Sequence, residues 1–173
     1  MPDTFESLLV KLSRSGVEYL VAGGVAVCLN GFVRTTQDLD LLVGASPANL
    51  RRLLACLATF GEGFARELSP EDFPLEEGAV RVNEDFTVDL FTLMRSHTFA
   101  DFSATARRLA IGDIEVHYLA PESLIELKSA SKREKDRLDV AALREIIAGA
   151  AMPGSADLVE LTPPAGAAPE EAR

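Results

Sequence analysis

Three aspartates occupy positions where an acid is locally unfavourable. Asp38 and Asp40 alternate in Gln37-Asp38-Leu39-Asp40-Leu41-Leu42-Val43, and positions i and i+2 of a strand project from the same face. Two carboxylates side by side at the mouth of a buried strand repel one another unless a cation sits between them. Oxygen ligands of this kind suit Mg2+, which keeps waters and takes its other ligands from substrate phosphates. A polar turn before a solvated strand end is the plainer reading, but it leaves the Leu41-Leu42-Val43 run after Asp40 unexplained. Asp89 interrupts the β-forming stretch Phe86-Thr87-Val88-Asp89-Leu90-Phe91. An acid there needs a reason. If that strand pairs beside residues 39–43, three carboxylates converge, enough to hold two metals for an in-line displacement at phosphorus. Otherwise Asp89 faces solvent from an outer sheet face.

Two further features lie near these acids. Gly23-Gly24 follows a short apolar strand and precedes a helix, a place where backbone N–H groups can approach a phosphate that a side chain would keep away. Glycine pairs at such turns are more often structural. Residues 128 to 137 carry Lys128, Lys132, Arg133, Lys135 and Arg137 against Glu134 and Asp136, a basic island in a chain of net charge −10. Such an island suits a triphosphate or a phosphate-rich acceptor, or is an ordinary solvated turn between helices. His97 follows the Asp89 strand and could approach the site, although a loop or surface role is the plainer reading, and His117 lies in an alternating strand and reads as structural.

The elements that must position these groups follow from periodicity. Phe5, Leu8, Leu9 and Leu12 mark a first helix ended by Gly16. Strands are expected at 18–22 and 39–43, with a helix at 25–29 between them. Pro47 opens a helix through Phe60, with Leu50, Leu53, Leu54 and Leu57 as its buried stripe. Residues 78–83 and 85–93 read as a hairpin, as do 105–109 and 114–119 about Gly112-Asp113, although 99–109 also fits a helix. Pro121 opens a helix to about Ala130, and Glu134 to Ile147 forms the last. The expected fold class is α/β (α+β), a mixed β-sheet with flanking helices. The folded unit spans residues 1–150, and the acidic Pro- and Ala-rich segment 151–173 is expected to be a disordered tail.

Composition narrows the function. The chain has 173 residues, 47% hydrophobic and 25% charged, with 17 basic against 27 acidic side chains. That balance argues against wrapping duplex DNA or lying on an anionic membrane. Cys28 and Cys56 sit in apolar stretches without metal-ligand spacing, which fits free thiols in a reducing cytoplasm. No apolar run reaches the length of a membrane span, and no leader is evident at the N-terminus.

Taken together, Val21-Ala22-Gly23-Gly24-Val25-Ala26, Arg34-Thr35-Thr36-Gln37-Asp38-Leu39-Asp40, Lys128 and Lys135-Asp136-Arg137-Leu138-Asp139-Val140 resemble the polymerase-beta-like nucleotidyltransferase superfamily. The likeness is to its small bacterial members and to the abortive-infection toxin branch. It spans residues 17–142 and implies a minimal nucleotidyltransferase fold. It also implies Mg2+-dependent transfer of a nucleoside monophosphate from an NTP, ATP among them, to an acceptor, with pyrophosphate released. On that resemblance Asp38, Asp40 and Asp89 hold the metal, and Asp89 orients or deprotonates the acceptor hydroxyl. Gly23 and Gly24 cradle the β- and γ-phosphates, and Lys128 neutralises phosphate charge. Asp136 positions nucleotide or acceptor, and Arg34 and Thr36 brace the metal-bearing strand. Gly24 stands where many members carry Ser. The chain ends soon after the last motif, which raises the expectation of a homodimer completing its site across subunits, or of an antitoxin partner. The acceptor is left open between an RNA end such as tRNA, a protein and a small molecule. Two other readings stand beside this one: a catalytically inactive nucleotide- or partner-binding module of the same fold, and a metal-dependent phosphohydrolase. The second would call for more histidine ligands than His97 and His117 supply.

Overall fold

Alternation along one central strand decides how the sheet divides. The computed structural model describes residues 4–149, and the expected tail at 151–173 lies outside the described residues. In chain order the elements are α1 (Phe5–Arg14), β1 (Tyr19–Val21), α2 (Gly23–Leu29), β2 (Asp38–Val43), α3 (Pro47–Leu57), β3 (Val80–Asn83), β4 (Thr87–Phe91), α4 (Phe99–Ser103), β5 (Arg107–Ile111), β6 (Ile114–Tyr118), α5 (Pro121–Lys128) and α6 (Glu134–Ile147). The strands form one open mixed sheet in the order β3-β4-β2-β1-β6-β5. β2 runs parallel to β4 and β1 parallel to β6, while the remaining neighbours are antiparallel. Among the described residues the architecture is thus mixed α/β, a six-stranded sheet with six α-helices.

Leu39, Leu41 and Val43 of β2 are fully buried, as are Val88 and Leu90 at the matching positions of β4. The alternate positions, Asp38 and Asp40 on β2 and Thr87, Asp89 and Phe91 on β4, project from the opposite face. The sheet therefore has one apolar face and one that carries the acids. On the apolar side α1 contributes Phe5, Leu8, Leu9 and Leu12. Its start is fixed by a reciprocal Thr4–Ser7 cap, and Gly16, at φ +66, turns the chain into β1. Phe86, just before β4, meets the Phe5 ring edge-on at 4.7 Å and the Phe60 ring at 5.9 Å.

Several boundaries differ from the sequence expectation for local reasons. α3 stops at Leu57 rather than Phe60, yet Phe60 stays buried because its ring packs on Phe86. Residues 99–109 divide between both expected states. Thr98 and Asp101 cap each other to start the short α4, and β5 begins at Arg107, drawn into the ladder that closes at Ile111–Ile114 about Gly112. Between α3 and β3 the chain makes two 3-10 turns, Phe64–Glu67 and Pro70–Asp72, where no element was expected. Among the described residues no helix is long and apolar enough to cross a membrane.

Replacing Phe86 by Ala removes the ring shared by α1, Phe60 and the start of β4. Urea unfolding is expected to show a loss of about 3 kcal/mol. A loss below about 1 kcal/mol would show that the ring cluster does not anchor β4.

Candidate functional site

The strand register builds a row of charge across the sheet. The parallel β2–β4 ladder sets Asp40 opposite Asp89, and the antiparallel β3–β4 ladder sets Arg81 opposite Asp89 in turn. The Arg81 guanidinium donates to both carboxylate oxygens of Asp89, Nε to Oδ1 and Nη2 to Oδ2, each at 2.8 Å. This is a planar two-point ion pair of the strong kind. Its members differ in exposure: the Asp89 side chain is 9% exposed and that of Arg81 58%. Hydrogen bonding to Asp89 and its charge, aided by Asp38 and Asp40, hold the guanidinium firmly protonated.

Among the described residues Asp40 has no such partner, and it carries the electrostatic strain of the site. Burial, then the charges of Asp89 and Asp38, push its carboxyl up to about 6; Lys128 and the Gly24 N–H act in the other direction and do not cancel the effect. A cation beside Asp38 and Asp40 would relieve that repulsion, and their hard oxygen donors on one strand face fit Mg2+. Asp89 fits less directly, since both its oxygens are engaged by Arg81. Among the described residues no three His, Cys, Asp or Glu side chains are grouped closely enough to hold a metal by themselves.

The glycines make room for these groups. Gly23 has φ +55, and a Cβ there would overlap the Asp40 carboxylate. At Gly24 a Cβ would lie 2.6 Å from Thr36 Oγ1 and 3.0 Å from the Arg34 guanidinium. The glycine pair thus has a structural cause in the acid and the Arg34–Thr36 segment, and both residues also line the cleft.

A second charge cluster closes the other wall. Arg34 grips Asp139 of α6 at two points, 2.7 and 2.8 Å. Lys128, at the end of α5, pairs with the same carboxylate at 2.9 Å and also bonds Asp136. Asp139 is wholly buried, so it ties α6, the end of α5 and the α2–β2 connection together. Burial works against ionisation of Asp136, but hydrogen bonds from Lys128 and Ser131 outweigh it and keep the carboxyl below its usual range. Thr36 donates to the Asp38 carbonyl at 3.3 Å, bracing the start of β2.

All nine residues singled out from the sequence line one open cleft of about 650 Å³: Gly23, Gly24, Arg34, Thr36, Asp38, Asp40, Asp89, Lys128 and Asp136. Of the basic island, Lys128, Arg133 and Lys135 line this cleft. His97 instead pairs with Glu126 at 3.1 Å and rests on the Phe102 ring, and His117 lies 3.7 Å from Glu115. Sequence reasoning quoted Asp139 within a motif but gave it no role, and it missed Arg81. Asp139 sits three residues after Asp136 on one helical face, but only the packing shows that it is the buried one. Arg81 alternates with inward Val80 and Val82, and its pairing with Asp89 needs the hairpin register.

Because folding raises the Asp40 pKa, the folded state holds the proton more tightly than the unfolded chain. Stability therefore falls as pH rises from about 4 to about 6, and the penalty is complete above that. In metal-free buffer Asp40→Asn is expected to be more stable than the wild type at pH 7.5, by on the order of 2 kcal/mol, with no gain at pH 4. A variant less stable at pH 7.5 would contradict this electrostatic account. Asp139→Asn leaves Arg34 and Lys128 without their shared anion and is expected to cost about 3 kcal/mol in denaturant unfolding. A cost within the error of the measurement would remove the clamp. Compared with known proteins, the chain matches no family model and no curated protein, and the case for this cleft stands on its own residues.

Proposed function

We propose that the chain is a Mg2+-dependent nucleotidyltransferase that moves a nucleoside monophosphate from an NTP to a hydroxyl acceptor and releases pyrophosphate. The observation that carries this reading is convergence. Two adjacent strands put Asp38, Asp40 and Asp89 on one face, and the same cleft is walled by Lys128, Arg133 and Lys135. Hard oxygen donors beside a cluster of cations suit a phosphate ester with its cation. In the reaction the acceptor oxygen bonds to the α-phosphorus as the bond to the β-phosphate bridge breaks, and pyrophosphate leaves. Such chemistry needs positioning and charge neutralisation and no nucleophilic Ser or Cys.

The chain's own groups divide that work. Asp38 and Asp40 hold the cation, which when bound supplies positive charge at the reacting phosphate. Asp89 orients the acceptor hydroxyl and accepts its proton. Lys128, fixed by Asp136 and Asp139, joins Arg133 and Lys135 in balancing the triphosphate. Arg34 and Thr36 keep the β2 entrance in place. This assignment supports placing the chain in the small, toxin-like branch of the polymerase-beta-like superfamily, working in the cytoplasm, where buried free Cys28 and Cys56 suit a reducing medium. The acceptor is an RNA end such as tRNA, a protein or a small hydroxylated molecule, and a homodimer or antitoxin partner would complete or control the site.

A second reading is favoured by one specific observation. The double hydrogen bond from Arg81 takes both oxygens that Asp89 would offer to metal or acceptor. A permanent pair of this kind describes a module that binds nucleotide or partner without turnover.

Incubating the protein with each α-labelled NTP, Mg2+ and bulk tRNA, and with the protein alone, separates the two. Label is expected to pass from a preferred NTP to an acceptor in the wild type and to fall at least about 100-fold in Asp40→Asn. Because that variant is expected to be the more stable protein, its loss of activity is not unfolding. Absence of transfer from every NTP would favour the binding module.

A further inference from the structure

The cations around the cleft are not held alike. The Arg34 side chain is 14% exposed and locked on the fully buried Asp139. Lys128 is also 14% exposed and is shared between Asp136 and Asp139. Neither can leave without stranding a buried charge. The Arg81 side chain is 58% exposed, and among the described residues its only side-chain hydrogen bonds run to Asp89. Water can take over the guanidinium if it swings outward. Asp89, on a side chain only 9% exposed, cannot be left alone in the same way. It can release Arg81 only to another positive charge.

The register supplies the place where that charge would arrive. Asp40 lies opposite Asp89 on the neighbouring strand, and paired strand backbones run about 4.8 Å apart in a sheet. In the resting protein the three carboxylates are not grouped closely enough to share a metal, so a divalent cation held by Asp38 and Asp40 would draw in an oxygen of Asp89 only as Arg81 leaves it. Resting on the nucleotidyl-transfer reading above, we propose that Arg81 is a displaceable counter-ion. It occupies Asp89 until a divalent cation arrives, so cation loading and the release of Asp89 for the acceptor are one event. Arg81 is then a positioning residue acting through Asp89, and it makes the two-point pair a gate rather than a permanent block. Linkage makes the effect reciprocal: whatever strengthens the Arg81–Asp89 pair weakens cation binding, and the converse.

Calorimetric titration of the full chain with Mn2+ tests this without relying on turnover. Arg81→Gln removes the competing guanidinium and is expected to tighten Mn2+ at least about tenfold over the wild type. Arg81→Lys, which keeps the charge but cannot make the two-point pair, is expected to fall between them. Arg95→Gln removes an equal charge from the cleft lining and is expected to change the affinity less than about threefold, by the general field alone. Adding Asp89→Asn to Arg81→Gln is expected to abolish the gain. An Arg81→Gln affinity equal to or weaker than wild type overturns the gate, as does a matching gain in Arg95→Gln or a gain that survives Asp89→Asn. Should Arg81→Gln fail to fold, an Arg81→Lys affinity no tighter than wild type overturns it. Asp40→Asn separates the two levels. If it leaves Mn2+ binding unchanged, the proposed cation site itself fails. If it abolishes binding while Arg81→Gln brings no gain, the gate alone fails.

Discussion

The parallel pairing of β2 with β4 places a second carboxylate directly beside Asp40, and much of the surrounding structure answers that crowding. Like charges one strand apart in a partly dry setting oppose folding, and here the cost falls on Asp40, whose carboxyl is pushed up to about 6. Arg81 removes part of the problem by taking Asp89. The Gly24 N–H and Lys128 ease it further without cancelling it. A site that stays electrostatically unfavourable in the resting protein is prepared to bind positive charge, and binding that relieves strain is stronger for it.

The rest of the fold keeps this arrangement from collapsing. The apolar face of the same two strands is sealed by Leu39, Leu41, Val88 and Leu90, so neither strand can slip by one residue without burying acids in the core. Gly23 allows the β1–α2 turn to close over Asp40, and Gly24 lets Arg34 and Thr36 lie against it. Asp139 then fastens α6 and α5 to that connection through Arg34 and Lys128. Arg34 and Lys128 are thus held on a buried carboxylate, while the largely exposed Arg81 pairs with Asp89.

Much of this was legible from residue order. Alternation around Asp38 and Asp40 placed both on one strand face, and the misfit of Asp89 among β-formers marked it as a candidate that its register beside Asp40 then brought into the same cleft. Helix α3 followed from Pro47 and its Leu50, Leu53, Leu54 and Leu57 stripe, and α1 from Phe5, Leu8, Leu9 and Leu12 with Gly16 as its stop. What stayed hidden was set by tertiary packing. Arg81 reads as a solvated residue on an edge strand until the hairpin register sets it against Asp89. Asp139 belongs to the Lys135–Val140 motif in sequence, but its place as the buried anchor of Arg34 and Lys128 comes only from the packing. Residues 99–109 fitted both states because the Thr98–Asp101 cap starts a short helix just ahead of the residues that the hairpin pairing takes. The glycine pair suggested a phosphate cradle, and the structure adds an immediate steric cause in the Asp40 carboxylate and the Arg34–Thr36 segment.

The central claim is that the cleft takes a nucleotide together with a divalent cation held by Asp38 and Asp40. Calorimetric titration of the four NTPs, with and without Mg2+, into the wild type and into the Asp38→Ala/Asp40→Ala double variant addresses it most directly. The account predicts binding of at least one NTP that requires Mg2+ in the wild type and disappears in the double variant. NTP binding of equal strength without Mg2+ or without the two aspartates, or no binding in the wild type, would contradict it.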